Sequence, residues 1–206
     1  MSVTRRMGAA ALVLGAAAPF AGSPFRSPRG RVDVDALAGV VARGEDHVDA
    51  MQLARWIKAR KPGLRVIDVR TPAEFAAYSI PSAENVPIAA IGKARFAQAD
   101  QIVLYSQGGA HGGQAWVFLR ALGLTNVWFI AGGLADWMDE VINPTIAADA
   151  SPEKKRAFEA DAEISRYFGG APRTVAPGAP GGAAPARETA EGHVAAAVTQ
   201  AARRGC

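Results

Sequence analysis

The sequence holds one cysteine, Cys206, at its last position, which excludes an intramolecular disulfide and any cysteine-built metal cluster. Histidine is nearly as scarce. His47, His111 and His193 are too dispersed along the chain to mark a metal site, and neither a metal nor a cofactor is expected. Lysine is sparse beside arginine, and no basic run alternates with aromatics. The formal charge of +4 therefore reflects scattered arginines rather than a nucleic-acid surface. The apolar run over 7–21 is short for a membrane-spanning helix, and no internal repeat is present. With 206 residues, the chain has room for one domain of ordinary size plus extra segments.

The N-terminal segment pairs Arg5 and Arg6 with that apolar run, which matches an export signal over 1–22 and predicts a periplasmic or otherwise exported protein. The arginine pair resembles a twin-arginine signal, although Met7 and Gly8 depart from that pattern. Cleavage is expected near Ala21, with Pro19 and Pro24 blurring the bond. An uncleaved N-terminal anchor is the competing reading and the one route to a membrane. No cysteine follows the signal, so a lipoprotein box is absent. Cys206 is read as an exposed terminal residue, or else one that pairs between chains or carries a modification.

Residues 23–44 are read as a Pro/Ser/Gly/Arg-rich linker and a short helix, in which Val34, Leu37, Val40 and Val41 follow helical spacing. Further helices are predicted over 48–59, after Thr71, over 88–96, over 113–122 and after Gly133. Strands are predicted over 64–69, 84–87, 101–105 and 126–130. Thr71 is the expected N-cap of its helix, with Pro72 at the first position and Glu74 closing a capping box. Strands alternating with helices imply an α/β domain over 45–143, an open parallel sheet with helices on both faces. A helical extension over 144–169 starts at Ser151, with Glu153 closing its capping box and Phe158, Ile164 and Phe168 turned to the domain. Residues 170–206 have too few bulky apolar side chains to offset ordering entropy and are predicted to be a disordered Pro/Ala/Gly-rich tail, with a weak helix over 191–202.

The residues that bear chemistry follow the strand that ends at Tyr105. Ser106, Gln107, Gly108, Gly109, Ala110, His111 and Gly112 form a glycine-rich stretch ahead of a helix. Successive backbone N–H groups before a helix N-terminus make an anion-binding nest, and glycines let a ligand approach the backbone closely. These seven are the candidate anion-binding loop, with a small oxyanion or an acidic protein partner as the expected ligand. Asp68 and Arg70, at the end of an earlier strand, are expected to hydrogen-bond the loop and fix its shape. The alternative is a turn that only closes the fold. Tyr105, Trp116, Phe118, Trp128, Phe129 and Trp137 are expected in the core, and His47 as a solvated or capping residue.

Four stretches in order resemble the rhodanese family of sulfurtransferases. They are Ile67, Asp68, Val69 and Arg70 with Glu74 and Phe75; the run from Ile80 to Pro87; the loop at Ser106; and Gly132 and Gly133 with Trp137. The resemblance covers 47–142 and implies a rhodanese-like fold. In that family the residue ending the strand is the cysteine that accepts sulfur, where this chain has Ser106. A thiol ionises near 8.5 and lower at a helix N-terminus, whereas a serine hydroxyl ionises far higher and oxygen holds no transferable sulfur. Against the family's Cys-x-x-Gly-x-Arg-Ser, Gly109 matches, His111 replaces the arginine and Gly112 the serine. Ser79 stands where a histidine is common and Ser82 where a glycine is common. The resemblance thus implies a sulfurtransferase fold without a catalytic residue, a pseudoenzyme that binds an anion or a partner. The alternatives are sulfur transfer through Cys206 or a partner's cysteine, and a hydrolytic loop. For the latter, Gly-x-Ser-x-Gly is not matched and no acid is evident to orient His111.

Overall fold

The computed structural model describes residues 33–177. The predicted export segment, most of the linker, the tail from 178, His193 and Cys206 lie outside the described residues. Among the described residues, no helix is long and apolar enough to cross a membrane.

Five parallel strands form the main sheet: β1 (His47–Val48), β2 (Leu64–Asp68), β3 (Ala83–Asn85), β4 (Gln101–Tyr105) and β5 (Val127–Ile130), in spatial order β1-β5-β4-β2-β3. Alternation of side chains feeds two cores. Val66, Val103, Tyr105 and Ile130 point to one face, and Ile67, Ile102, Leu104 and Val127 to the other. This two-sided burial explains why the central strands read as continuous apolar runs.

On the first face lie α2 (Ala50–Lys58), α5 (Gly133–Asp136) with its π-helical continuation (Trp137–Ile142), and α6 (Pro152–Tyr167). The second is covered by α1 (Val34–Ala42), a 3₁₀ helix (Ile88–Lys93) and α4 (Ala110–Ala121). The short α3 (Pro72–Ala77) starts with the expected capping box, Thr71 and Glu74 each accepting the other's backbone N–H. The fold is therefore mixed α/β with a parallel sheet flanked by helices.

Several local expectations are corrected. His47 opens strand β1, so the helix predicted from 48 begins at Ala50, capped by Asp49. The His47 ring is tilted against Phe129, and its Nδ1 lies 2.8 Å from Asp46 Oδ1. Helix α4 starts at Ala110, three residues before the predicted start, so Gly112 and Gly113 lie within its first turns. Ser151 does cap α6 through Lys154 N, but position N3 is Lys154, so Glu153 closes no capping box. Ile164 and Phe168 pack on the first core while Phe158 does not. Phe118 is 49% exposed, on the outer face of α4. The tail expected to be disordered from 170 is ordered at its start: β7 (Arg173–Val175) pairs in parallel with β6 (Thr145–Ala147) as a separate two-stranded sheet.

Candidate functional site

Register brings the carboxyl ends of the central strands level, Asp68 opposite both Tyr105 and Asn85. Ligands of open α/β sheets bind beyond these ends. Asp68 is fully buried. Its carboxylate accepts the Arg70 backbone N–H at 2.9 Å and the guanidinium through Nε and Nη2, the latter at 2.6 Å. Hydrogen bonding to Asp68 raises the Arg70 pKa above its ordinary value against the opposing effect of burial. Arg70 also donates from Nη2 to the Tyr78 carbonyl at 2.7 Å and from Nη1 to Gln107 Oε1 at 3.1 Å. Asn85 donates to the carbonyls of Asp68 and Arg70. Tyr105, whose hydroxyl accepts the Ile80 N–H, is pushed up in pKa by burial first and by Asp68 second.

The segment from Ser106 turns directly from β4 into α4. Ser106 is 1% exposed, and its Oγ accepts N–H groups from Gly109 at 3.1 Å and Gly112 at 3.3 Å. The turn needs glycine at two points. Gly109 has φ +87°, and a Cβ there would lie 1.7 Å from the Ala131 carbonyl oxygen; at Gly133, φ +63°, a Cβ would meet Ser106 O at 2.3 Å. The start of α5 then clasps the loop, Leu134 N donating to Ser106 O at 2.8 Å and Ala135 N to Gln107 O at 3.2 Å.

The seven candidate residues are thus contiguous in space, but they are not all loop. Ala110, His111 and Gly112 form the first turn of α4. Two N–H groups of the expected nest, those of Gly109 and Gly112, are already spent on Ser106. The backbone N–H groups of Gln107, Gly108, Ala110 and His111 carry no hydrogen bond to the described residues, and all four residues are exposed. His111 makes no hydrogen bond to Ser106. Arg70, itself held by Asp68, reaches Gln107 in the loop.

Sequence reasoning expected Arg70 to bond the loop but did not name Gln107 as its partner, and it missed the clasp by α5, which joins segments distant in the chain. It also missed a cleft of about 360 Å³ lined in part by His47, Asp49, Gln52, Asp136 and Glu140. Asp49 caps α2 there, and Asp136 accepts the Gly132 N–H.

A parallel α/β sheet whose central strand enters a helix through a tight glycine turn, supported by an Asp–Arg pair, defines the class of domain. Residues 49–140 match the family described as the Rhodanese-like domain, and this part of the chain is a rhodanese-like domain. An uncharacterized protein of Synechocystis sp., slr1261, is 30% identical over 89 residues, 42% of this chain and 49% of that protein. The chain spans about half the length of that curated relative. Among solved structures, the rhodanese-like domain of the Anabaena sp. protein Alr3790 is 26% identical with a TM-score of 0.42, covering 45% of this chain and 72% of that one. The human single-domain sulfurtransferase TSTD1 is 25% identical with a TM-score of 0.43, covering 46% and 96% respectively.

Proposed function

We propose that the chain is an exported rhodanese-like protein in which Ser106 occupies the sulfur-acceptor position, and that it works without catalysis as a module binding a small anion or an acidic group of a partner. One observation carries the reading: the side chain at the end of β4, facing the helix N-terminus, is a hydroxyl whose oxygen takes the Gly109 and Gly112 N–H groups. An oxygen held there cannot form a persulfide, and the same dipoles cannot bring a serine hydroxyl near ionisation at neutral pH. A hydrolytic role lacks support as well, because His111 makes no hydrogen bond to Ser106 and is exposed. Export rests on the basic-then-apolar segment over 1–22.

What remains for binding is the row of N–H donors at Gln107, Gly108, Ala110 and His111, next to a helix of 12 residues. Thiosulfate-to-cyanide sulfur transfer by the purified protein is expected to stay at the uncatalysed rate, and turnover that disappears in Cys206→Ser would overturn the non-catalytic reading. Backbone amide resonances of 107–112 are expected to shift saturably with at least one small oxyanion or carboxylate at millimolar concentration. Their indifference to all of them would remove the binding role.

A further inference from the structure

The polar groups at the loop mouth are set so that one side chain selects the ligand. We infer that Gln107 is the specificity-determining residue of this site and that the site takes a monovalent carboxylate in preference to a divalent oxyanion; the inference rests on the loop being a binding site, as proposed above.

The first step is the orientation of Gln107. A guanidinium N–H can only donate, so the Gln107 atom that meets Arg70 Nη1 at 3.1 Å is the amide oxygen. The amide nitrogen is then turned away from Arg70, on an exposed residue whose own backbone N–H is uncommitted. Arg70 is 8% exposed and held on three sides, by Asp68, Tyr78 O and Gln107. It holds the Gln107 amide by its oxygen, which leaves the amide nitrogen, a donor of no net charge, unused by Arg70 on a residue that immediately precedes the free backbone donors in the chain.

The second step is charge. The Arg70 cation is matched by the buried Asp68 carboxylate at 2.6 Å. Glu74, on the first turn of α3, is held below its ordinary pKa by its bonds to Thr71 and, more weakly, by the charge of Arg70. The one guanidinium at the mouth is already paired with Asp68, and Glu74 adds a negative charge, so a dianion meets twice the repulsion of a monoanion with no unpaired guanidinium to repay it. A ligand here is recognised by hydrogen bonds. A planar carboxylate offers two acceptor oxygens to a side-chain amide and a backbone N–H side by side. The same chemistry is presented by a free small carboxylate and by a glutamate side chain of a polypeptide.

The test is a two-dimensional amide NMR titration of the full chain with sodium acetate, a blocked pentapeptide containing one glutamate, and sodium sulfate, at matched ionic strength. The expected result is saturation by acetate with the Gln107 side-chain amide among the shifted resonances, and at least threefold weaker binding of sulfate. Tighter binding of the peptide than of acetate assigns the carboxylate to a polypeptide, and equal binding to a free small molecule. In Gln107→Leu, which keeps the bulk and removes the donor, acetate affinity should fall by threefold or more. In Gln107→Glu, whose carboxylate would meet Arg70 and add a negative charge, it should fall further, with the dispersion of the other amide resonances retained as evidence of folding. Sulfate binding as tightly as acetate, or unchanged acetate affinity in Gln107→Leu, overturns this inference alone. If none of the three ligands moves the 107–112 amides, the binding reading beneath it falls too.

Discussion

Ser82 shows how one side chain can be at odds with the backbone it sits on. It has φ +66°, in the left-handed region, where an L residue meets its own carbonyl and glycine does not. Its side chain is exposed, and burial offers no compensation. Replacing Ser82 by glycine relieves that strain but loosens the unfolded chain, two effects of opposite sign and similar size. The strain is the larger, so Ser82→Gly should raise stability by about 0.5 kcal/mol, read as a higher urea midpoint at unchanged slope. A lower midpoint would mean that the serine is held by something other than its backbone. The position was legible in the sequence as one where related chains carry glycine. A bond from Arg70 to the loop was expected from the sequence, but its partner Gln107 was not legible, because the two residues lie 37 apart and meet only when β2 and β4 lie side by side. Gly109 was legible as a glycine but not in its reason, which is the Ala131 carbonyl arriving from the next strand.

Elements whose signals are local were legible, and those whose signals come from neighbours were not. The capping box of α3 is written in four consecutive residues. Thr71 N and Oγ1 both donate to Glu74 Oε2, at 2.9 and 2.6 Å, and Glu74 N returns a bond to Thr71 Oγ1. These bonds, the Thr71 hydroxyl first, hold the Glu74 carboxyl below its ordinary pKa. A depressed folded-state value contributes stability that is present above the ordinary carboxyl range and is lost as pH falls through the folded value. Thr71→Ala should therefore destabilise the chain near neutral pH, with the difference from wild type narrowing as the solution is taken well below about pH 4. Denaturant melts at the two pH values check this; a difference that widens in acid would show that the carboxylate is not the partner. By contrast, β1 is two residues long and exists through pairing with β5, so the text around His47 gives it no period to read. The start of α4 was placed late because Gly112 and Gly113 weaken helix propensity. What fixes the helix there is tertiary: Ser106 Oγ takes the Gly112 N–H, and Gly112 sits against Phe129 and the end of β4.

Across the whole molecule, the rhodanese-like segment supplies only part of the covering on the first face, through α2 and α5. Helix α6 lies beyond residue 140, yet Ile164 and Phe168 pack on the core formed by Val66, Val103, Ile130 and Trp137. The Phe168 ring meets the fully buried Trp137 edge to face, centroids 5.2 Å apart at 71°. The chain then turns at Gly170, where a Cβ would lie 2.5 Å from Ile142 O, and returns as β7 along β6. Order past residue 170 could not be read from a Pro/Gly-rich composition, because it comes from a helix that delivers three residues to a strand 28 positions upstream in pairing register. Trp137 extends this packing toward the site, since its indole N–H donates to the Tyr78 hydroxyl at 3.2 Å while the Tyr78 carbonyl holds Arg70. If the extension is part of the domain's core, Phe168→Ala should destabilise the chain as a core truncation does, by about 2 kcal/mol, since the ring is only partly buried. Tyr167, next to it and 57% exposed, is the control, and Tyr167→Ala should cost clearly less. Equal and small losses for both variants, measured by urea unfolding, would make the extension an appendage rather than a layer of the fold.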